Sequence, residues 1–236
     1  MKISVITVCY NAVSSLERTI LSVINQTYND LEYIIIDGGS TDGSIDIIKK
    51  YSSKINYWIS EPDKGIYDAM NKGIAQATGE WINFMNAGDE FYRNDVITQI
   101  YKEKIPNTVK VVYGDVVLKK KEGIKPGKNS PISFLEIAMA FCHQSSFTRK
   151  TVCTFDTKFK IGADFKLFHD IYYKEGAKAF KYVPIKISLF ENISGLSTSQ
   201  IKQCRKEWLQ IRSHHKNLRW YFDLLKYQLR FNILRL

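Results

Sequence analysis

Apolar and polar positions along the first hundred residues switch repeatedly between two periods. Ile3 to Val8 is a continuous apolar, β-rich run. Ser14 and Glu17 then have the spacing of a capping box, and Leu16, Ile20, Val23 and Ile24 recur at helical spacing. Glu32 to Ile36 reads as strand, Asp42 to Tyr51 as helix, Ile55 to Ile59 as strand, Tyr67 to Ala77 as helix and Trp81 to Met85 as strand. Such alternation predicts an α/β fold with a parallel, doubly wound sheet.

The pattern is more mixed beyond residue 100. Val109 to Leu118 is strand-like, and Lys119 to Asn129 reads as a basic loop containing Gly and Pro. Phe134 to Ala140 looks helical, Ser145 to Phe147 extended, Asp164 to Lys174 helical and Ala179 to Phe190 extended. With no internal repeat and no low-complexity linker, residues 1–198 are expected to form one domain. Residues 199–236 are read as a basic helical tail. Within it, Leu218, Tyr221, Phe222, Leu225, Leu229 and Ile233 form one apolar stripe, and Trp220, Leu224, Tyr227, Phe231 and Leu234 a second beside it. A broad apolar arc bounded by cations suits an interfacial membrane helix. Packing on the body or on a second copy of the chain is the alternative.

Charge sharpens this division. Of 34 basic and 24 acidic residues, nine basic and two acidic ones lie beyond Ile201, so the tail carries +7 of the net +10. A basic surface of this sort suits nucleic acid, anionic lipid or phosphorylated ligands. A nucleic-acid-binding protein would interleave basic and aromatic residues across a sheet face, whereas here the cations collect in one terminal segment. Nucleic acid is therefore not an expected partner. At 44% hydrophobic over 236 residues, the chain can bury a substantial core. Cys9, Cys142, Cys153 and Cys204 are scattered, which fits free thiols better than disulfides or a zinc site. Neither a leader nor a membrane-spanning segment is expected, so the reading is a cytoplasmic protein at the cytosolic face of the membrane.

In doubly wound sheets, ligands bind beyond the carboxyl ends of the strands. Asp37, Asp63 and Asp89 each follow a predicted strand and should converge on one rim. In "IIIDGGSTDGS", Asp37 is placed to accept hydrogen bonds from a base or ribose, with glycines allowing close backbone approach. Asp63 and Lys64 precede a helix bearing Asp68, Asn71 and Lys72, which is a candidate donor-binding segment or simply a loop and a solvated helix face. Asp89, with Glu90 beside it, offers hard oxygen ligands for Mg²⁺ or Mn²⁺ next to a ligand's phosphates. Neither GxGxxG nor a P-loop is present.

The blocks "ISVITVCYNA", "IIIDGGSTDGS", "EPDKGIYDAMNKGIAQATGEWINFMNAGD" and "FKIGADFKLF" occur in the order found in the family 2 glycosyltransferases, which the chain resembles over about residues 1–195. The resemblance implies the GT-A fold, a Rossmann-like and mostly parallel central sheet flanked by helices, here with a C-terminal helical extension. Residues 1–100 would form the nucleotide-sugar half and 101–198 the acceptor half. It also implies an inverting enzyme that uses a nucleotide-diphosphate sugar, with a UDP-sugar favoured. Thr7 and Tyr10 would lie near the nucleotide, with Asp68 and Asn71 in the same donor-binding set. Asp37 and Asp63 would hold base and ribose, and Asp89 the metal on the diphosphate. Asp164 would be the catalytic base, a role the chemistry also requires because an attacking hydroxyl must lose its proton. Where many relatives carry two or three acids, this chain has Asn86-Ala87-Gly88-Asp89, leaving one carboxylate on the metal.

Asn86, His143 and Gln144 are candidate acceptor or phosphate contacts, although a histidine among apolar residues also fits a purely structural role. "ENISGLS", with Asn192 and Gly195, is read as a loop over the site. The expected acceptor is a glycan hydroxyl, lipid-linked and destined for a bacterial surface polysaccharide or oligosaccharide. A catalytically inactive nucleotide-sugar-binding relative is the remaining reading.

Overall fold

The computed structural model describes residues 1–102, 104–120, 123–191, 200–216 and 218–230. In chain order the elements are β1 (Ile3–Cys9), α1 (Leu16–Ile24), β2 (Leu31–Asp37), α2 (Ser44–Lys50), β3 (Tyr57–Ser60), α3 (Ile66–Gln76), β4 (Trp81–Phe84), β5 (Glu90–Phe91), α4 (Val96–Ile100), β6 (Val111–Lys120), β7 (Gly123–Pro126), β8 (Ser146–Arg149), α5 (Ala163–Glu175), β9 (Phe180–Glu191), α6 (Ile201–Ile211) and α7 (Leu218–Arg230). The strands form one sheet in the order β3-β2-β1-β4-β8-β6-β9-β5, with β7 paired to β6.

Strands β3, β2, β1 and β4 are parallel, as the alternating pattern predicts. Beyond β4 the sheet is mixed, because β8 enters antiparallel to both β4 and β6 whereas β9 returns parallel to β6. Side-chain alternation along β1 divides the core into two layers. Ile3, Val5 and Cys9 pack with Leu16, Ile20 and Val23 of α1, while Ile6 and Val8 pack with Tyr67, Ala69 and Met70 of α3. The register sets Cys9 beside Asp37 and Asp37 beside Ser60, so the carboxyl ends of β1, β2 and β3 share one rim.

Three local expectations are corrected. Ser14 does not cap α1: the helix starts after Ser15, which makes no side-chain capping bond, and Glu17 is drawn away by Lys50 at the end of α2 and by Tyr51 just after it, each at 2.7 Å. Part of the expected 119–129 loop is strand, because β6 continues to Lys120 and pairs with β7. The expected Phe134–Ala140 helix is a short 3₁₀ segment at Ile132–Glu136.

The tail is also more than an appendage. Cys204, Glu207, Leu209 and Ile211 of α6 are buried, and the Trp208 ring lies 5.2 Å from that of Phe165 in α5. Helix α7 is held to α6 by the Trp220 Nε1 donation to Leu209 O (2.9 Å) and by an Arg212–Asp223 ion pair (2.9 Å). Trp220 and Leu224 of the second stripe therefore line the α6–α7 groove. In the first stripe, Leu218 is 85% exposed, and Tyr221, Phe222 and Leu225 are exposed as well. The boundary at 198/199, the "NISGLS" loop, Phe231, Ile233 and Leu234, and the side chains of Tyr227 and Leu229, lie outside the described residues. Among the described residues, no helix is long and apolar enough to cross a membrane.

Candidate active site

Two recesses adjoin at the carboxyl rim and share Ile66. The first, about 280 Å³, is lined by Val8, Tyr10, Asp63 and Gly65. Asp63 Oδ1 accepts the Gly65 N–H at 2.8 Å, which turns the chain into α3. Gly38 lies close to both Asp63 and Tyr10. A Cβ built there would lie 2.5 Å from Asp63 Oδ2 and 3.4 Å from the Tyr10 ring, so the missing side chain is what lets the two converge.

The second recess, about 260 Å³, is lined by Asn86, Asp89, His143, Gln144, Lys160, Asp164 and Glu191, with Tyr67 and Ile161 at its wall. Five candidates from three separate sequence blocks, Asn86, Asp89, His143, Gln144 and Asp164, thus meet Glu191 from the end of β9. Asp89 is only 5% exposed, and its Oδ1 accepts the Glu191 N–H at 3.1 Å. Burial pushes its carboxyl up to about 7, and the nearby charges of Glu191 and Glu90 push the same way. Gly88 reaches this turn with φ +106°, where a Cβ would also meet Glu191 Oε2 at 2.9 Å. A residue other than glycine would be strained and crowded at this position. Glu90 does not join Asp89: it sits on β5 and takes the Arg18 guanidinium at 3.2 Å. Glu191, which the sequence reading passed over, supplies the second carboxylate instead. Its only signal in the sequence is an acid at the end of an apolar strand.

Asp164, in the first turn of α5, is pushed up to about 6 by burial. The Phe165 N–H (2.7 Å) and the Tyr67 hydroxyl (3.1 Å) on its Oδ1 hold the rise in check. A carboxylate has roughly four acceptor sites, so capacity remains for a ligand. Two buried acids with raised values facing one recess form the electrostatic signature of a functional site. His143 is packed against Phe84, Phe155 and Phe168, and burial lowers it to about 4. It is a neutral ring at neutral pH.

Four candidates are committed elsewhere. The Thr7 hydroxyl donates to Met85 O at 2.7 Å and meets Tyr33 Oη at 3.0 Å on the α1 side of the sheet. This corrects the expectation of a nucleotide contact, because strand alternation sends Val8 and not Thr7 to the recess. Asn71 exchanges hydrogen bonds with the Phe155 backbone, receiving its N–H (2.9 Å) and donating to its carbonyl (2.8 Å). That corrects its placement in the donor set: it clamps α3 to the segment that precedes α5. Asp68 accepts the Lys64 N–H at 2.9 Å in the turn entering α3.

Asp37 is fully buried, with Ser40 N–H (2.8 Å), Ser40 Oγ (2.5 Å), Ser60 Oγ (2.6 Å), Gly39 N–H (3.1 Å) and Cys9 Sγ (3.4 Å) donating to it. Burial pushes its carboxyl up, but the Ser40 and Ser60 donors outweigh this and hold it below the usual range. Asp37 therefore shapes the "DGGS" turn and is not a free ligand; Asp63 is the acid that faces the recess.

No three His, Cys, Asp or Glu side chains among the described residues cluster as a closed metal site. An open site fits better. Asp89 and Glu191 offer carboxylates, and the buried Asn86 Oδ1 has no hydrogen-bond partner, an uncompensated cost that a cation would relieve. Mg²⁺ and Mn²⁺ commonly bind through one or two carboxylates and leave the remaining positions to phosphates and water.

Comparison with known proteins identifies the fold and the family. The "PGL/p-HBAD biosynthesis glycosyltransferase" of Mycobacterium bovis BCG is 28% identical over 217 residues, covering 88% of this chain and 82% of its own. Among solved structures, S. aureus TarS 1–349 with UDP-GlcNAc superposes with a TM-score of 0.69 at 16% identity, covering 89% of this chain and 66% of that one. Glucosyl-3-phosphoglycerate synthase from Mycobacterium tuberculosis, solved with Mn²⁺ and UDP, gives 0.62 at 14% identity, covering 90% and 79%. The fold is accordingly that of the GT-A glycosyltransferases. The "Glycosyl transferase family 2" profile matches residues 4–172, and this chain belongs to that family.

Proposed function

We propose that the protein transfers a sugar from a nucleotide-diphosphate donor, with UDP favoured, to a glycan hydroxyl, with inversion and with Mn²⁺ or Mg²⁺ bound. The observation that carries the proposal is the pairing of Asp89 and Asp164, two buried acids with raised values, across one recess of about 260 Å³. Neighbours solved with UDP-GlcNAc, and with UDP and Mn²⁺, support the donor class.

The donor's nucleoside would lie in the recess of Tyr10 and Asp63, with its diphosphate directed toward Asn86, Asp89 and Glu191. The metal, when bound there, neutralises charge on the diphosphate leaving group. The acceptor oxygen attacks the anomeric carbon from the face opposite the diphosphate, and its proton passes to Asp164. The bond from the anomeric carbon to the phosphate oxygen breaks, and the electron pair leaves with the nucleoside diphosphate. Lys160, at the same recess, adds a positive charge beside the anionic ligand. Neutral His143 and Gln144 complete the wall where the sugar or acceptor would lie. Hydroxyl deprotonation by a positioned carboxylate contributes roughly 10²- to 10⁴-fold.

A lipid-linked acceptor at the cytosolic membrane face is supported by α7. Its exposed Leu218, Tyr221, Phe222 and Leu225 are flanked by Lys216, Arg219 and Lys226, the arrangement of a helix lying in an anionic interface. A thermal-shift screen of UDP, GDP, CDP and ADP and their sugars, with and without Mn²⁺, tests the donor assignment. Stabilisation by one nucleotide only when Mn²⁺ is present is expected. No nucleotide effect, or one indifferent to metal, would overturn it.

A further inference from the structure

The residues that hold Asp164 in place come from the far end of the chain. Glu207, on α6, is 2% exposed although it carries a carboxylate. Its Oε1 accepts the Lys160 N–H at 3.0 Å, and its Oε2 accepts the Ile161 and Gly162 N–H groups at 2.9 and 2.8 Å. Gln203, one turn earlier on α6, donates from Nε2 to Oε1 at 2.8 Å. Three successive backbone donors thus converge on one carboxylate.

Those donors belong to the turn that leads directly into α5, whose N-cap is Gly162 and whose first turn carries Asp164. Tyr67 grips the same turn from the opposite side. Its hydroxyl is 2.6 Å from Ile161 O and 3.1 Å from Asp164 Oδ1, so one O–H faces both acceptors. Ile161 is therefore held by its N–H from α6 and by its carbonyl from α3. Both attachments end at the wall of the recess that Asp164 faces.

On the transferase reading above, we propose that Glu207 is a positioning residue for the catalytic base. Its carboxylate fixes the backbone of residues 160–162, and that backbone sets where α5 begins and how Asp164 enters the recess. Charge-assisted hydrogen bonds are short and strongly directional, and placing a reacting group with small error is worth large factors in rate. Glu207 also places a negative charge at the amino end of α5, where the helix dipole favours it. That favourable contact alone would give Glu207 a role in stability only. A positioning role makes a different demand, because turnover must fall while donor affinity holds.

Two variants of the full chain separate these roles. Glu207→Gln keeps the size of the side chain but replaces one acceptor oxygen with a donor that opposes the Ile161 and Gly162 N–H groups. Gln203→Ala removes only the side chain that steadies Glu207, at an exposed site. For each, UDP affinity is measured in Mn²⁺, and turnover is read as nucleotide release from UDP-glucose, UDP-galactose, UDP-N-acetylglucosamine and GDP-mannose. UDP affinity within twofold of the parent is expected, with turnover falling at least tenfold in Glu207→Gln and severalfold in Gln203→Ala. Unchanged turnover in folded Glu207→Gln overturns the assignment, and so does loss of UDP affinity in step with turnover. If Glu207→Gln does not fold, Gln203→Ala decides by the same criteria. A parent chain that turns over none of the four sugars overturns the transferase reading beneath the assignment, and that failure is read before any variant is made.

Discussion

The Glu191 N–H donates to Asp89 Oδ1 at 3.1 Å across 102 positions of sequence, joining the end of β9 to the turn after β4. The contact places two carboxylates at one corner of the recess, with the Arg18 guanidinium reaching Glu191 at 3.6 Å. Asp89 rises to about 7 through burial and neighbouring negative charge, so the corner favours a cation. Asp89→Ala is expected to abolish Mn²⁺-dependent stabilisation by UDP, and Glu191→Gln to weaken it about tenfold or more, since one of two charges on the ion is lost. Asp89 must be ionised to bind metal, so Mn²⁺ affinity should fall as pH drops below about 7. Calorimetric titration at several pH values reads both effects; a pH-independent affinity would count against Asp89 as the ligand.

Asp164→Asn should retain UDP and Mn²⁺ binding while transfer falls by two or more orders of magnitude. The base works only when ionised, and burial raises it to about 6. Turnover at saturating donor should therefore be full above that value and decline as pH falls through it. A profile flat down to pH 5 would remove Asp164 from this role.

Gly38→Ala should spare the fold yet lower UDP affinity, because the new methyl would lie 2.5 Å from Asp63 Oδ2 and displace it. Equilibrium binding with circular dichroism as control checks this. Wild-type affinity would show that Asp63 and Tyr10 need not converge over Gly38.

Asp37→Asn is predicted to damage stability first. The variant turns an amide toward groups that now donate to a carboxylate, and hydrogen bonds to charged groups contribute about 1.5–3 kcal/mol each. A loss of at least about 2 kcal/mol is expected in urea unfolding. The folded-state value of Asp37 lies below the usual one, so its contribution is present at neutral pH and is lost as pH falls through the acid range. An Asn variant as stable as the parent, but unable to bind nucleotide, would return Asp37 to the direct-ligand role.

On α7, Leu218→Ser combined with Phe222→Ser changes two exposed side chains and should leave thermal stability within a degree or two. Co-sedimentation with phosphatidylglycerol vesicles should drop severalfold, because about 25 cal/mol per Å² of apolar burial is forfeited. Unchanged vesicle binding would leave this face to a second copy of the chain, which sedimentation analysis would detect.

The parallel half of the fold was legible because each strand and helix there carries its own period, and βαβ units join neighbours in sequence. The mixed half was less so. Strands β8 and β9 pair with β6 at distances in sequence that no local pattern records. The same distinction holds at the site. Asp63, Asp89 and Asp164 stand in recognisable blocks, whereas Glu191 reaches the recess, and Glu207 the turn behind it, only through tertiary packing. Thr7 was misread because a motif does not say which way a strand residue faces; the alternation that buries Ile3 and Val5 beside α1 decides it. Asp37 shows the opposite limit: its position was legible, but the five donors that occupy it were not.

The clamp between α6 and the turn before α5 also bears on the order in which a newly made chain becomes competent. Strands β1 to β4 and the helices between them are complete within the first hundred residues and rest largely on contacts between adjacent elements, which form quickly. The turn carrying the base acquires its last anchor only after residue 207 has been synthesised. A nascent chain halted before that point would hold nucleotide without directing it to an acceptor. On the transferase reading, transfer would therefore await the segment that carries Glu207.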